Sequence, residues 1–169
     1  MTPISLEQQI AQLEVEYARL HGQCLTVATA ESATGGGIAQ RLISVAGSSG
    51  YVLGGVISYS NQAKESLLGV RTATLAQQGA VSHEVAIEMA EGGRSALGSD
   101  ICVSDTGIAG PGGGSGDKPV GLFYIGIATA SGSRAVRLVF DSDRNSNRHA
   151  AEDAALTLVR DYLLQCIDS

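Results

Sequence analysis

The sequence predicts an α/β fold, a three-layer α/β/α sandwich around a mixed, mostly parallel central sheet. Two observations carry this. Short apolar runs of strand length alternate with stretches whose apolar residues recur at helical spacing. Late in the chain, two strand-like runs are separated only by Ser131-Gly132-Ser133. That spacing reads as a hairpin and makes the sheet mixed rather than purely parallel.

Each element follows in order. Ile10, Leu13, Val15 and Leu20 predict a helix over 5–20, opened by Ser5 and Gln8 as a capping box. Residues 25–30 read as a short buried strand. Glu31 to Gly37 is a turn, and Ile38, Ala39, Leu42 and Ile43 follow at helical spacing. Residues 51–59 read as a second strand and 61–68 as a short helix stopped by Gly69. Ser82 caps a helix over 82–97, where Val85, Ala86, Met89 and Ala90 form the inward stripe and Gly98 ends it. Residues 101–104 are a third strand, and 105–119 a glycine-rich loop. The hairpin strands are 120–130 and 134–140. The last helix is expected over 147–167, with Ala151, Ala155, Leu158 and Leu163 inward.

The length of 169 residues fits one domain, 1–169, with the helical segment 1–22 packing on it. The net charge is −6 and no basic stripe is visible, which argues against a nucleic-acid partner. No apolar run approaches the ~20 residues that span a bilayer, so no membrane role is expected. Met1 to Glu16 is polar and acidic, without the basic-then-apolar pattern of a signal peptide, and a cytoplasmic protein is expected. Cys24, Cys102 and Cys166 are widely spaced and read as reduced thiols. His21, His83 and His149 lack metal-ligand spacing, so no metal and no cofactor is expected.

Four segments concentrate polar chemistry. The first runs Thr29-Ala30-Glu31-Ser32-Ala33-Thr34-Gly35-Gly36-Gly37. A serine between a strand and a helix sits at the sheet rim, where ligands of open α/β folds bind. The helix N-terminus offers N–H groups for an anion or oxyanion. The same pattern also fits a plain N-cap and tight turn. The second is Ser58-Tyr59-Ser60-Asn61-Gln62-Ala63-Lys64, which places Lys64 one turn into a helix. Lys64 and Lys118 are the only lysines. Lys64 acts as a base only if burial or positive potential lowers its pKa. Otherwise it is a solvated surface lysine, and His83 is the fallback base. The third is the glycine loop, with Thr106, Gly107, Gly110 and Gly112. It matches neither the P-loop nor the dinucleotide pattern, and reads as an anion nest, a lid or a connector. The fourth is the pair Arg144 and Arg148, which can grip a phosphate from one helix face or simply solvate a helix start.

Taken together, the segments resemble the CinA C-terminal domain, the nicotinamide-nucleotide amidase family. The likeness runs through Ala30-Glu31-Ser32-Ala33-Thr34-Gly35-Gly36, Val45-Ala46-Gly47-Ser48-Ser49, Gly54-Gly55-Val56-Ile57-Ser58-Tyr59-Ser60-Asn61-Gln62-Ala63-Lys64, Leu67-Leu68-Gly69-Val70 and Gly79-Ala80-Val81-Ser82. It continues through Thr106-Gly107-Ile108-Ala109-Gly110-Pro111-Gly112-Gly113 and Lys118-Pro119-Val120-Gly121. The resemblance implies hydrolysis of the carboxamide of nicotinamide mononucleotide, in pyridine-nucleotide recycling. It implies a serine–lysine dyad of Ser32 and Lys64, assisted by Tyr59. Glu31, Thr34, Gly35, Gly36, Thr106, Gly107, Gly110, Gly112, Arg144 and Arg148 are the expected substrate-binding residues. The N–H groups of the 34–36 turn are the expected oxyanion donors. A homodimer is expected, with a small nucleotide as partner. Relatives often carry cysteine where this chain has Ala33, and longer ones add an N-terminal domain for which 169 residues leave no room. A regulatory module that binds pyridine nucleotide without catalysis is the alternative, and a scaffold or dimerisation domain a third reading.

Overall fold

The computed structural model describes residues 4–169. The start of the Met1–Glu16 segment therefore lies outside the described residues. Five strands and six helices follow one another as α1 (Leu6–His21), β1 (Val27–Glu31), α2 (Gly37–Ile43), β2 (Val52–Ile57), α3 (Asn61–Leu68), α4 (Thr72–Gln78), α5 (His83–Leu97), β3 (Ile101–Gly107), β4 (Leu122–Thr129), β5 (Gly132–Val139) and α6 (Arg144–Ile167). The sheet order is β2-β1-β3-β4-β5. Its β2-β1-β3 half is parallel and its β3-β4-β5 half antiparallel. The sheet is thus mixed, as the hairpin predicts.

Strand alternation sorts the side chains into two cores. Val27, Ile101, Val103 and Ile125 face α1, α2 and α6, against Ile10, Leu42, Leu156 and Val159. Ala28, Ala30 and Cys102 face the other layer, against Leu68, Val85 and Met89. Glycine sets how closely that second layer packs. A Cβ at Gly92 of α5 would lie 1.8 Å from the Leu68 carbonyl oxygen, so α3 and α5 touch backbone to backbone there.

Cap chemistry explains where the helices begin and end. Ser5 and Gln8 form the reciprocal capping box, Ser82 accepts from Val85 N–H, and Gly98 ends α5 in the left-handed conformation. Two boundaries and one whole helix show the largest differences from expectation. The last helix starts at Arg144, because Asp143 accepts from the N–H groups of Asn145 and Ser146 and captures a polar first turn. Strand β3 runs on to Gly107, its end paired with Phe123 of β4. Helix α4 leaves little trace in sequence: seven residues, two of them threonine, with no side-chain cap.

Among the described residues no helix is long and apolar enough to cross a membrane. None of their His, Cys, Asp and Glu side chains gather in threes as a metal site. The three cysteines are free thiols.

Helix α1 carries a buried acid. Glu14 is 1% exposed and its Oε2 accepts from Leu25 N–H at 3.0 Å, while Oε1 and the Tyr51 hydroxyl have no protein partner. Burial pushes Glu14 up from 4.5 to about 8. A carboxyl whose folded value is raised adds stability below its unfolded pKa and loses it as pH climbs through the folded one. Between pH 4.5 and about 8 the wild type is expected to lose melting temperature relative to Glu14→Gln, which cannot ionise. Parallel melting curves across that range would refute this.

Candidate active site

The site begins where β1 and β2 end together. Their pairing continues past the last strand residue, with Ser58 N–H donating to the Glu31 carbonyl at 2.7 Å. This brings the turn after β1, which carries Ser32, beside the segment leading into α3. Ser60 caps α3 by accepting from Ala63 N–H. Lys64 then sits in the first helical turn and reaches back to the sheet rim.

Lys64 Nζ lies 2.8 Å from Ser32 Oγ and donates to the Ser58 carbonyl at 2.7 Å. Its residue is 1% exposed, and Ser32 is 8% exposed. Burial drives the Lys64 pKa below its ordinary value, with the Asp105 charge pulling the other way. The amino group at the helix N-terminus meets the positive end of the α3 dipole, which acts in the same direction as burial. A neutral amine has two N–H bonds and one lone pair. With one N–H on Ser58, the lone pair is free to accept the Ser32 hydroxyl proton.

The turn after Ser32 is held from beneath by two buried carboxylates. Asp105 of β3 accepts from the N–H groups of Ser32, Ala33 and Thr34 at 2.9, 2.9 and 3.2 Å. Glu31 accepts from Gly36, Ile38 and Ala39 N–H at 2.8, 3.0 and 2.8 Å, and from the Thr29 hydroxyl. Those are the orphan donors that open α2. The helix N-terminus expected to receive an anion is therefore filled by the chain's own Glu31. Gly35 and Gly36, at φ +62° and +100°, make the left-handed bend that aims these N–H groups inward.

This corrects three sequence expectations. The N–H groups of Thr34 and Gly36 already donate to Asp105 and Glu31, so they are not free oxyanion donors. Glu31 and Thr34 are fully buried and support the turn rather than facing a ligand. Arg148 donates to the carbonyls of Ala33 and Thr34 at 2.9 and 2.7 Å, and so clamps the turn from α6. Sequence reasoning missed Asp105 altogether, placing it at the start of the glycine loop. Its signal was a carboxylate inside an apolar strand run, Ile101-Cys102-Val103-Ser104-Asp105, where only a dense set of donors makes burial tolerable. Burial raises Asp105 to about 6, against its hydrogen bonds with the Thr34 hydroxyl and the N–H groups of Ser32 and Thr34.

Above the dyad opens a cleft of about 270 Å³. Ser32, Lys64, Tyr59, Asn61, Thr106, Gly107 and Arg144 line it. The Thr106 hydroxyl donates to Ala80 and so faces away from the dyad. Arg144 donates to the Gly110 carbonyl at 2.8 Å and to the Tyr59 hydroxyl at 3.3 Å. Tyr59 is 67% exposed, a rim position. Gly35 sits beside the Arg148 guanidinium, and Gly112 is on the open part of the loop.

Comparison with known proteins shows the family and the fold. The family model described as CinA C-terminal domain matches residues 9–163. A CinA-like protein of Chloroherpeton thalassium is 50% identical over 166 residues, covering 96% of this chain and 38% of that protein. One from Sulfurihydrogenibium is 46% identical, covering 96% of this chain and 41% of the relative. The chain thus spans about two fifths of the length of these relatives. The crystal structure of the competence/damage inducible protein CihA from Agrobacterium tumefaciens superposes with a TM-score of 0.83 at 37% identity, covering 100% of this chain and 99% of that one. A CinA superfamily protein from Enterobacter cloacae gives a TM-score of 0.86 at 26% identity, over 96% of this chain and 95% of that one.

Proposed function

The chain belongs to the CinA C-terminal domain family, and we propose that it deamidates nicotinamide mononucleotide, releasing nicotinate mononucleotide and ammonia. One observation carries the reading: a lysine amine, buried and lowered in pKa, 2.8 Å from a serine hydroxyl at the sheet rim. Lysine costs free energy to bury, and a base for a serine nucleophile is the chemistry that pairing serves.

The reaction proceeds in two halves. Neutral Lys64 takes the Ser32 proton as Oγ attacks the carboxamide carbon. The resulting ammonium returns a proton to the departing ammonia, leaving an acyl-enzyme at Ser32. A water, deprotonated by the same amine, attacks the acyl carbon, and Ser32 leaves with its proton restored.

Asp105 and Glu31 take the N–H groups of Ser32, Ala33, Thr34 and Gly36, which leaves Gly35 of the turn and the opposite wall of the cleft to meet the oxyanion. Ile108 N–H donates to Leu122 of β4, so by ladder alternation Gly107 N–H turns away from β4, toward β1 and Ser32. We assign Gly107 N–H to the oxyanion. A side chain there is barred, because a Cβ would lie 2.3 Å from the Phe123 ring.

The phosphate falls to Arg144, since Arg148 is engaged with the turn. Tyr59, bonded to Arg144, then helps to hold substrate rather than relay a proton. Arg144→Ala is expected to raise KM by about 10- to 100-fold, the loss of one charged hydrogen bond, with kcat nearly kept. A fall in kcat at constant KM would place the phosphate elsewhere. The function itself is tested with purified protein, nicotinamide mononucleotide and ammonia detection. Binding without ammonia release would leave a regulatory nucleotide-binding module instead.

A further inference from the structure

One hydroxyl beneath the nucleophile makes two close contacts that a single proton cannot satisfy. Thr34 Oγ1 is 2.6 Å from Glu31 Oε2 and 2.6 Å from Asp105 Oδ1. All three side chains are buried, Glu31, Thr34 and Asp105 each at 0% exposure. A threonine hydroxyl carries one proton, and an ionised carboxylate only accepts. If both acids were ionised, one of the two contacts would set oxygen lone pairs against each other at hydrogen-bond distance, with no water to screen them.

The surrounding bonds decide which acid carries the extra proton. Glu31 Oε2 already accepts from Gly36 and Ile38 N–H, and Oε1 accepts from Ala39 N–H and the Thr29 hydroxyl. That set of donors suits a full carboxylate. Asp105 Oδ1 has Ser32 N–H as its only other partner, while Oδ2 takes Ala33 and Thr34 N–H. Oδ1 therefore has room to bear a proton.

We propose that Glu31, Thr34 and Asp105 form a row with one trapped proton, in which Thr34 donates to the Glu31 carboxylate and Asp105, as the neutral acid, donates to Thr34. The charged groups facing Asp105 are Glu31 from β1 and Lys64 from α3, while Arg148 from α6 is on the carbonyls of the same turn. Glu152 of α6 and Arg41 of α2 lie beyond the turn. β4 presents Phe123 and Ile125 to that face. Ser104 and Thr106 turn to the opposite face, toward Ala86 and Ala80, so α5 contributes no charge here.

The row is a positioning device for the nucleophile. Below its midpoint Asp105, as a neutral acid, still accepts three turn N–H groups without a negative charge beneath Lys64, and above it the ionised Asp105 raises the amine's pKa. That consequence rests on the amidase reading, whereas the location of the proton does not.

The sign of one shift tests it. Carboxyl-labelled aspartate in the full chain, followed by carbon NMR, gives the Asp105 titration, assigned by its loss in Asp105→Asn. The expected midpoint lies well above the ordinary aspartate range. If Asp105 donates to Thr34, then Thr34→Val removes the acceptor of that proton. The midpoint should fall by about one unit, tenfold in proton affinity, while Thr34→Ser leaves it in place. A midpoint that rises in Thr34→Val means Thr34 donates to Asp105, and overturns the proposal. An Asp105 signal that titrates in the ordinary range in the wild type does so as well. Should Thr34→Val not fold, the wild type supplies the second reading. Below the midpoint, a solvent-shielded carboxyl proton with a cross-peak to the Thr34 methyl is expected, and its absence also overturns the proposal. The titration is read without substrate, so a failure of amidase activity leaves its outcome intact.

Discussion

Lys64→Met is expected to abolish ammonia release, by about 10⁴-fold or more, with the melting temperature kept close to that of the wild type. Ser32→Ala should do the same. In serine hydrolases that have been dissected, nucleophile and base act as a unit, and losing either costs nearly as much as losing both. The double variant Ser32→Ala with Lys64→Met is therefore expected to be no slower than either single one, and additive losses would argue that the two groups work separately. Methionine suits this test because the Lys64 stem is buried and an apolar chain of similar length fills the same space. Lys64→Arg is not expected to restore activity, since a guanidinium does not give up its proton. The pH dependence carries a sign. Burial lowers the Lys64 pKa, so the rate should rise with pH along a limb below the ordinary lysine value of 10.5, as the amine loses its proton. A rate flat across that limb would remove lysine as the base.

The largest expected effect on stability belongs to Glu31. Its carboxylate receives the N–H groups of Gly36, Ile38 and Ala39 and the hydroxyls of Thr29 and Thr34, all within the protein. Glu31→Ala leaves these donors without a partner. An unsatisfied buried donor costs about 1–3 kcal/mol, and the total for several is comparable to the ~5–15 kcal/mol by which domains are stable at all. The variant is expected to melt at least about 10 °C lower or to fail to fold, read by thermal unfolding. Glu31→Gln keeps the shape but turns an amide N–H toward backbone donors, so it should fall between. A melting curve for Glu31→Ala within a few degrees of wild type would show that water reaches the turn and takes over.

The legible part of this molecule is what local pattern controls. A serine between a strand run and a helix run has to lie at the sheet rim, and a lysine four residues into a capped helix has to lie near its opening. Those grounds place each residue separately, and the pairing of Ser32 with Lys64 comes from the family resemblance. Whether Lys64 is buried or solvated is not readable in this way, because burial depends on β1 and β2 ending side by side. Asp105 escaped for a related reason. A charge in an apolar run resembles the end of a strand unless its donors, which come from a segment 71 to 73 residues away, are known. Guanidinium chemistry suggests a phosphate for Arg144 or Arg148. In the structure Arg148 holds two backbone carbonyls, a use that no side-chain pattern records. Helix α4 was invisible because it has no cap and little periodicity, and it packs against α5 only in the folded state.

Many enzymes leave a ring of backbone donors empty until a phosphate or carboxylate arrives, and the loop stiffens around its guest. Here the guests are built into the chain, as Glu31 and Asp105. The turn after Ser32 is therefore held in place before any ligand arrives. The entropy that disordered loops exact from their ligands would not fall on a ligand bound beside this turn.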